Sequence, residues 1–289
     1  GAAMLAAADR ALAARPASGA IVAEAAAATW HGGRGLDSAL ALEYPVETIL
    51  SGPAASVVGS LYLSRETDAC IADMGGTTSD IALVSEGRLL LAREGAVVGG
   101  WQTMVEAVQI HTTGLGGDSA VLLEEGGRLS LGPRRSVPLA LLGHLSPEVL
   151  AELAAQAGRQ KPTRYDGRFL IRLRPADPAR DGFSEAQRAI LSKVGEVPLA
   201  LERLFVPGES SYLADLELRR LIERGYLGLA GFTPTDAAHV LGYQASWSLP
   251  AARAGASILA RRAGVEVEEL CRRVLRQVTA VLEHAHSKQ

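Results

Sequence analysis

The stretch CIADMGGTTSDIALV, Cys70 to Val84, decides how the rest of the chain is read. Cys70 to Met74 is a short apolar run with one acid, Asp73; Gly75, Gly76, Thr77 and Thr78 follow, then Asp80 and a second apolar run, Ile81 to Val84. Two such runs joined by a glycine-bearing turn predict a β-hairpin. Paired glycines permit a tight turn with positive φ, and with no Cβ in the way its N–H groups can converge on an anion such as a phosphate. Asp73, at the end of the first strand, is placed to hold a hydrated Mg²⁺, and Thr77 and Thr78 offer hydroxyls. The same residues also suit an ordinary Gly-rich hairpin with a solvated aspartate, because a bare D-x-G-G-T is a weak motif. The surrounding segments bear on the choice.

Three other segments stand out: PVETILSGPAASVVGS from Pro45 to Ser60, HTTGLGGDS from His111 to Ser119, and GFTPTDAAHVLG from Gly231 to Gly242. With all four in this order, the chain resembles the hydantoinase A / 5-oxoprolinase family, whose ATP-using subunits also occur in acetone-type carboxylases. The resemblance runs from Pro45 to the C-terminus, with a weaker middle. It implies an α/β fold: an actin-like, ribonuclease-H-like ATPase lobe with an inserted helical module. It also implies an ATP-dependent hydrolase using Mg²⁺ and ATP to phosphorylate the carbonyl oxygen of a hydantoin, a 5-oxoproline-like lactam or an enolised ketone. A hydantoinase B-like subunit or domain would complete hydrolysis or carboxylation. O-phosphorylation suits this chemistry, since an amide is a poor electrophile and a phosphoryl group makes its oxygen a far better leaving group.

Carried onto this sequence, the resemblance assigns Asp73 to Mg²⁺, Gly75, Gly76, Thr77 and Thr78 to phosphates, and Asp80 to orientation of the metal site. Gly114, Gly116, Gly117, Asp118 and Ser119 fall on the nucleotide or substrate side, and Asp236 at the cleft. Two departures matter. Relatives read G-x-G-G-G-S where this chain has Asp118, and a carboxylate beside phosphates repels them unless Mg²⁺ lies between, which favours a metal-linked role. Relatives also carry an earlier D-x-G-G-T in a first lobe, whereas nothing before Cys70 supplies it and the chain begins with Gly. A partial chain is therefore the expectation: residues 1–44 a remnant of the first lobe or a linker, 45–140 the ATPase lobe, 141–230 the insert, and 231–289 C-terminal helices returning to the lobe.

Composition agrees with a globular protein: 289 residues, 48% of them hydrophobic, support one large or two modest cores. A formal charge of −3 gives no global footprint for nucleic acid. Two cysteines, Cys70 in an expected buried strand and Cys271 on an expected helix, are too few for a disulfide framework and lack metal-ligand spacing. No run reaches the roughly 20 apolar residues that span a bilayer. The expectation is a soluble cytoplasmic protein without nucleic-acid or membrane partners.

In order along the chain, a helix is predicted to end near Arg15, with a flexible loop at His31 to Gly35. Glu43 to Ile49 leads to a helix from Pro53 to about Leu63, capped by Ser51. Arg88 to Arg93 forms a third strand of a meander, and Trp101 to Val108 a short helix. Ala120 to Leu123 and Arg128 to Leu131 are strands, followed by a loop punctuated by Pro133 and Pro138. Ser146 caps a helix to about Gln156, and Phe169 to Leu173 alternates apolar and basic residues like an exposed strand. Arg164, Arg168, Arg172 and Arg174 form a modest basic cluster with the pattern of a solvated face. Helices over Ser184 to Val194 (burying Ala186, Ala189, Ile190 and Val194), Leu199 to Phe205 and Leu213 to Arg224, then Tyr226 to Leu229, resemble a winged-helix module. The mixed charges of its third helix are ill suited to tracking phosphates. Thr233 to Asp236 caps a helix through Val240 and would direct Thr235, Asp236 and, one turn on, His239 to one point. Pro250 to Ala263 and Val265 to His284 are helices. A non-catalytic or truncated lobe serving regulation or subunit interaction is the competing reading.

Overall fold

A computed structural model describes residues 30–31, 34–35, 51–92, 94–95, 97–98, 101–102, 107–177, 181–205 and 211–286. The helix expected before Arg15 and the segment Glu43 to Ile49 lie outside the described residues. The fold is α/β, and the chain divides into two compact units. The first takes residues up to 74, 78–113 and 282 onward; the second takes 75–77 and 114–281.

In the first unit, helix α1 (Ser51–Ser64) lies against an antiparallel sheet. Strand β1 (Ala69–Met74) pairs with β2 (Ser79–Ser85), from Ala69 opposite Val84 to Met74 opposite Ser79, which is the expected hairpin. Strand β3 (Ile110–Thr113) pairs with the other edge of β2, Thr112 facing Asp80. Side chains alternate between the faces of a strand. On one face Ala82 and Val84 are buried with Val57 of α1, and Ala69, Ile71, Leu89 and Ile110 pack around them. Asp73, Asp80 and Thr112 continue that face as a polar row. The opposite face of β1 points outward, so Cys70, expected to be buried, is exposed on an edge strand.

The third strand is split: Arg88–Leu89 pairs with β2, and Leu91–Ala92 pairs with Ala107–Val108. The helix expected over Trp101 to Val108 is absent from its described part, since Trp101–Gln102 pairs with Val97–Val98. That stretch lacks the 3.6-residue period that sustains a helix face, and pairing with neighbouring β-formers prevails. His31, expected in a loop, pairs with Arg34 in a two-residue bridge.

The second unit holds two sheets and most of the helices. Strands β4 (Ser119–Leu123) and β5 (Leu129–Arg135) form a hairpin that carries Pro133 inside a strand instead of a loop. A four-stranded mixed sheet follows, in the order β6 (Val137–Pro138), β9 (Leu227–Gly231), β7 (Phe169–Arg172), β8 (Leu199–Ala200). The segment read as a wing is its strand β9, parallel to β6 and antiparallel to β7. Strand β7 is not exposed: Phe169 and Leu170 are 1% and 0% accessible. Its alternating arginine has a partner, because Arg172 Nε donates to the Val194 carbonyl at 2.9 Å, and its Nη2 donates to the carbonyls of Leu191 and Val194. These groups end helix α4 (Glu185–Lys193), where a cation is favoured. Helix α4 starts at Ser184 with a capping box to Gln187 and buries Ile190 and Leu191, whereas Ala186 and Ala189 are exposed. Leu199 to Phe205 is strand β8 plus a 3₁₀ turn, Leu201–Leu204, before helix α5 (Ser211–Glu223).

A helix not foreseen, α2 (Leu139–Leu145), follows β6 directly; Ser146 closes it and is not the cap of α3 (Val149–Ala157). Helix α6 (Pro234–Val240) and helix α7 (Leu249–Ala263) pack with α2. A Cβ on Gly143 would stand 2.6 Å from Ala251 Cβ, and one on Gly255 2.3 Å from Leu139 Cδ1. Glycine at these sites lets α2 and α7 approach closely. Helix α8 (Val267–His286) buries Leu270, Cys271, Val274 and Val278, as its spacing predicts. Among the described residues no helix is long and apolar enough to cross a membrane.

Candidate functional site

The tip of the β1–β2 hairpin belongs with the second unit, where it is gripped by the loop before β4. Gly117 N–H donates to the Gly75 carbonyl and Asp118 N–H to the Gly76 carbonyl, each at 2.9 Å. A Cβ on Gly76 would lie 2.5 Å from Asp118 Oδ2, and one on Gly116 2.5 Å from the Gly76 carbonyl. One on Gly117 would lie 2.6 Å from Thr235 Oγ1. None of the three is at positive φ. Glycine is required at these positions for close approach, not for the left-handed conformation expected of a tight turn.

The loop's donors are spent within the protein. Gly116 N–H reaches Ser119 Oγ at 3.0 Å, and Ser119 N–H reaches the Gly116 carbonyl at 3.0 Å. Thr235 donates to the Gly117 carbonyl from both its N–H, at 3.1 Å, and its hydroxyl, at 2.9 Å. Gly114 to Ser119 thus acts as a clamp around the hairpin tip. By contrast, Thr77 and Thr78 have no hydrogen-bond partner, backbone or hydroxyl, among the described residues. Thr77 is exposed and Thr78 half-buried, and the described residues of the protein do not use these donors.

In the first unit, Asp73 stands directly opposite Asp80, and Asp80 opposite Thr112. Thr112 Oγ1 donates to Asp80 Oδ1 at 2.6 Å, which fixes that carboxylate. Like charges facing one another across a ladder are destabilising, so the pair is costly unless a cation sits near it. Among the described residues no group of three or more His, Cys, Asp or Glu side chains could hold a metal. A pair of carboxylates beside hydroxyls nevertheless fits Mg²⁺, which keeps several waters and is held by one or two carboxylates plus phosphate oxygens. Thr112 was not singled out from the sequence; its signal was its place opposite Asp80, visible only once the third strand was paired.

Asp118 and Asp236 take different positions. Asp118, in the second unit, pairs with Arg135 Nη2 at 3.1 Å and borders a cavity of about 490 Å³. Ile171, Leu173 and Leu227 line the cavity, with Arg219 and Ser136 among its polar groups. Asp236 is fully buried. Its carboxylate accepts from the N–H groups of Leu139 at 3.1 Å, Ala140 at 2.7 Å and Thr233 at 2.9 Å, and from Thr233 Oγ1 at 3.0 Å. It therefore caps α2 and α6 together, a structural use where the sequence suggested a place at the cleft. Burial, opposed by those hydrogen bonds, pushes its pKa up to about 7. His239 is occupied as well: Trp247 N–H donates to Nε2 at 3.2 Å, which leaves Nδ1 to donate to the Thr235 carbonyl at 2.8 Å. The structure brings Thr235 to the clamp but turns Asp236 and His239 inward.

Comparison with known proteins accords with these motifs. The hydantoinase/oxoprolinase family model matches residues 12–166, more than half of the chain. The chain is 28% identical over 198 residues to the acetophenone carboxylase gamma subunit of Aromatoleum aromaticum, covering 65% of this chain and 25% of that protein. It is 33% identical over 95 residues to caprolactamase subunit alpha of Pseudomonas jessenii, covering 32% of this chain and 14% of that protein. The chain thus spans a quarter or less of the length of these curated relatives. A solved structure of acetone carboxylase in its nucleotide-free form matches with a TM-score of 0.47 and 16% identity, over 93% of this chain and 29% of that one. By the extent of the family match, the chain belongs to the hydantoinase/oxoprolinase family.

Proposed function

We propose that this chain is part of an ATP-dependent enzyme that activates the carbonyl of a cyclic amide, a hydantoin or 5-oxoproline-like lactam, for hydrolysis. The observation that carries the proposal is the D-x-G-G-T hairpin. Its glycines are clamped while its threonines keep their donors open, and its two aspartates face each other across the strands. Family membership, and relatives named as a caprolactamase subunit and a carboxylase subunit, support the same reading.

In this reading residues 45–140 form an actin-like ATPase lobe, 141–230 an insert and 231–289 the return to the lobe, with 1–44 as remnant or linker. Asp73 would hold a hydrated Mg²⁺, and Asp80, fixed by Thr112, would orient the metal site. Gly75 to Thr78 direct N–H and hydroxyl groups at phosphate oxygens, where fixed donors stabilise charge on a transferring phosphoryl group. Gly116, Gly117 and Ser119 act by clamping that turn, and Asp118 with Arg135 faces the substrate-side cavity. ATP supplies the phosphoryl group that converts a carbonyl oxygen into a leaving group. A hydantoinase B-like subunit or domain receives the activated amide, and the site of action is the cytoplasm.

Calorimetric titration of Mg²⁺-ATP into this chain and its Asp73→Ala variant tests the reading. The expected result is binding that weakens at least tenfold on substitution and on chelation of Mg²⁺. Equal binding by both proteins would remove Asp73 from the metal site, and no binding by the folded chain would favour a regulatory or subunit-interaction module.

A further inference from the structure

Two of the arginines read from sequence as a solvated face, Arg164 and Arg168, line a cavity of about 310 Å³ in the second unit, together with Arg134, Arg135 and Arg262. Arg134 comes from strand β5, Arg168 from the turn leading into β7, and Arg262 from the last turn of α7. Separate elements thus deliver three guanidinium groups to one cavity, in a chain whose net charge is −3.

The carboxylates nearby are already committed. Asp166, fully buried at the cavity wall, pairs with Arg159 at 2.6 Å. Glu124 pairs with Arg128, and Asp215, which attracts Arg168, pairs with Arg219 at 2.6 Å. Among the described residues Arg134, Arg168 and Arg262 have no hydrogen-bonded or ion-paired carboxylate. Burial, with the charges of Arg134 and Arg262, lowers the Arg168 pKa below its usual value; burial also lowers that of Arg262, against the pull of Asp166. Like charges concentrated in a partly dry cavity are destabilising, and an anion among them relieves the repulsion. The cavity, at about 310 Å³, leaves room for one.

We infer that Arg134, Arg168 and Arg262 form an anion site for a phosphate-class dianion, either free phosphate or the phosphoryl end of a small phosphomonoester, separate from the hairpin turn. Guanidinium forks match phosphate and carboxylate oxygens bidentately, and three cations at one cavity favour a dianion over a single carboxylate. The volume lies at the small end of ligand cavities and suits a small molecule, not a macromolecule.

The test is calorimetric titration of inorganic phosphate and, separately, glycerol 3-phosphate into the chain in the presence of EDTA. Arg134→Gln, Arg168→Gln and Arg262→Gln should each lower affinity at least tenfold. The control Arg276→Gln, outside the cavity and paired with Glu269, should stay within about twofold. Tighter binding of the ester would identify a phosphomonoester as the ligand; equal binding would identify phosphate. Arg134 is exposed and its substitution leaves the core intact, so that variant decides the matter if a buried one fails to fold. No phosphate binding, or affinity equal in all four variants, overturns the inference.

Discussion

Replacing Asp236 by asparagine separates two opposed forces on one buried group. Its carboxylate accepts four hydrogen bonds, three of them from backbone N–H groups at the starts of α2 and α6, yet burial raises its pKa to about 7. Below the ordinary value of 3.8, the carboxyl is protonated in both folded and unfolded chains. Between there and about 7 the unfolded chain releases its proton while the folded chain keeps it. The contribution to stability therefore falls as pH rises, and it levels off above about 7. At roughly 1.4 kcal/mol per pH unit, the loss amounts to about 4 kcal/mol.

The Asp236→Asn variant has no such titration, and its amide places an additional donor hydrogen among donors. It should be less stable than the parent by about 1–3 kcal/mol near pH 4, the cost of one unsatisfied buried donor. The difference should move by about 4 kcal/mol in the variant's favour by about pH 7.5. Asp236→Ala should lose about 3–9 kcal/mol, because three backbone donors lose their acceptor. Urea unfolding followed by circular dichroism at several pH values between about 4 and 7.5 reads these differences as shifts in midpoint. A pH-independent difference between parent and Asn variant would show that the carboxyl titrates as in the unfolded chain. A difference growing in the parent's favour with pH would show that the four donors outweigh burial.

Two further substitutions or reactions follow from the geometry. Gly116→Ala places a methyl 2.5 Å from the Gly76 backbone and should cost about 1–3 kcal/mol and loosen Mg²⁺-ATP binding, whereas Gly114→Ala, with nothing within 4 Å, should melt within a few degrees of the parent. Equal thermal midpoints for the two variants would rule out the clamp. Cys271 is buried, and burial with the charges of Glu268 and Asp236 pushes its pKa up to about 12, so a thiol reagent should label only the exposed Cys70 in the folded chain and both cysteines in urea. Rapid labelling of both in buffer would contradict the packing of α8.

Local patterning determined much of this protein. Cys70 to Val84 contained its own hairpin, with two apolar runs of strand length and a turn between them. Thr233 to Asp236 contained a helix start, since a hydroxyl and a carboxylate three residues apart reciprocally satisfy orphan N–H groups. The periodic face of α8 was equally plain. The family, too, was legible, from four motifs in a fixed order.

Tertiary structure decided what those pieces are for. That Gly76, Gly116 and Gly117 serve close approach depends on Asp118, Thr235 and one another, which local sequence does not bring together. The role of Asp236 waited on α2, a helix hidden between two prolines and stabilised by packing against Ala251 and Gly255 of α7. Arg172 looked like the exposed half of an alternating strand until its partners proved to be carbonyls at the end of another helix. Arg134, Arg168 and Arg262 are far apart in sequence, and only the fold brings their charges to one cavity. A residue's intrinsic preference is encoded beside it in the chain; the partners that determine its energetic role come from distant segments, through packing.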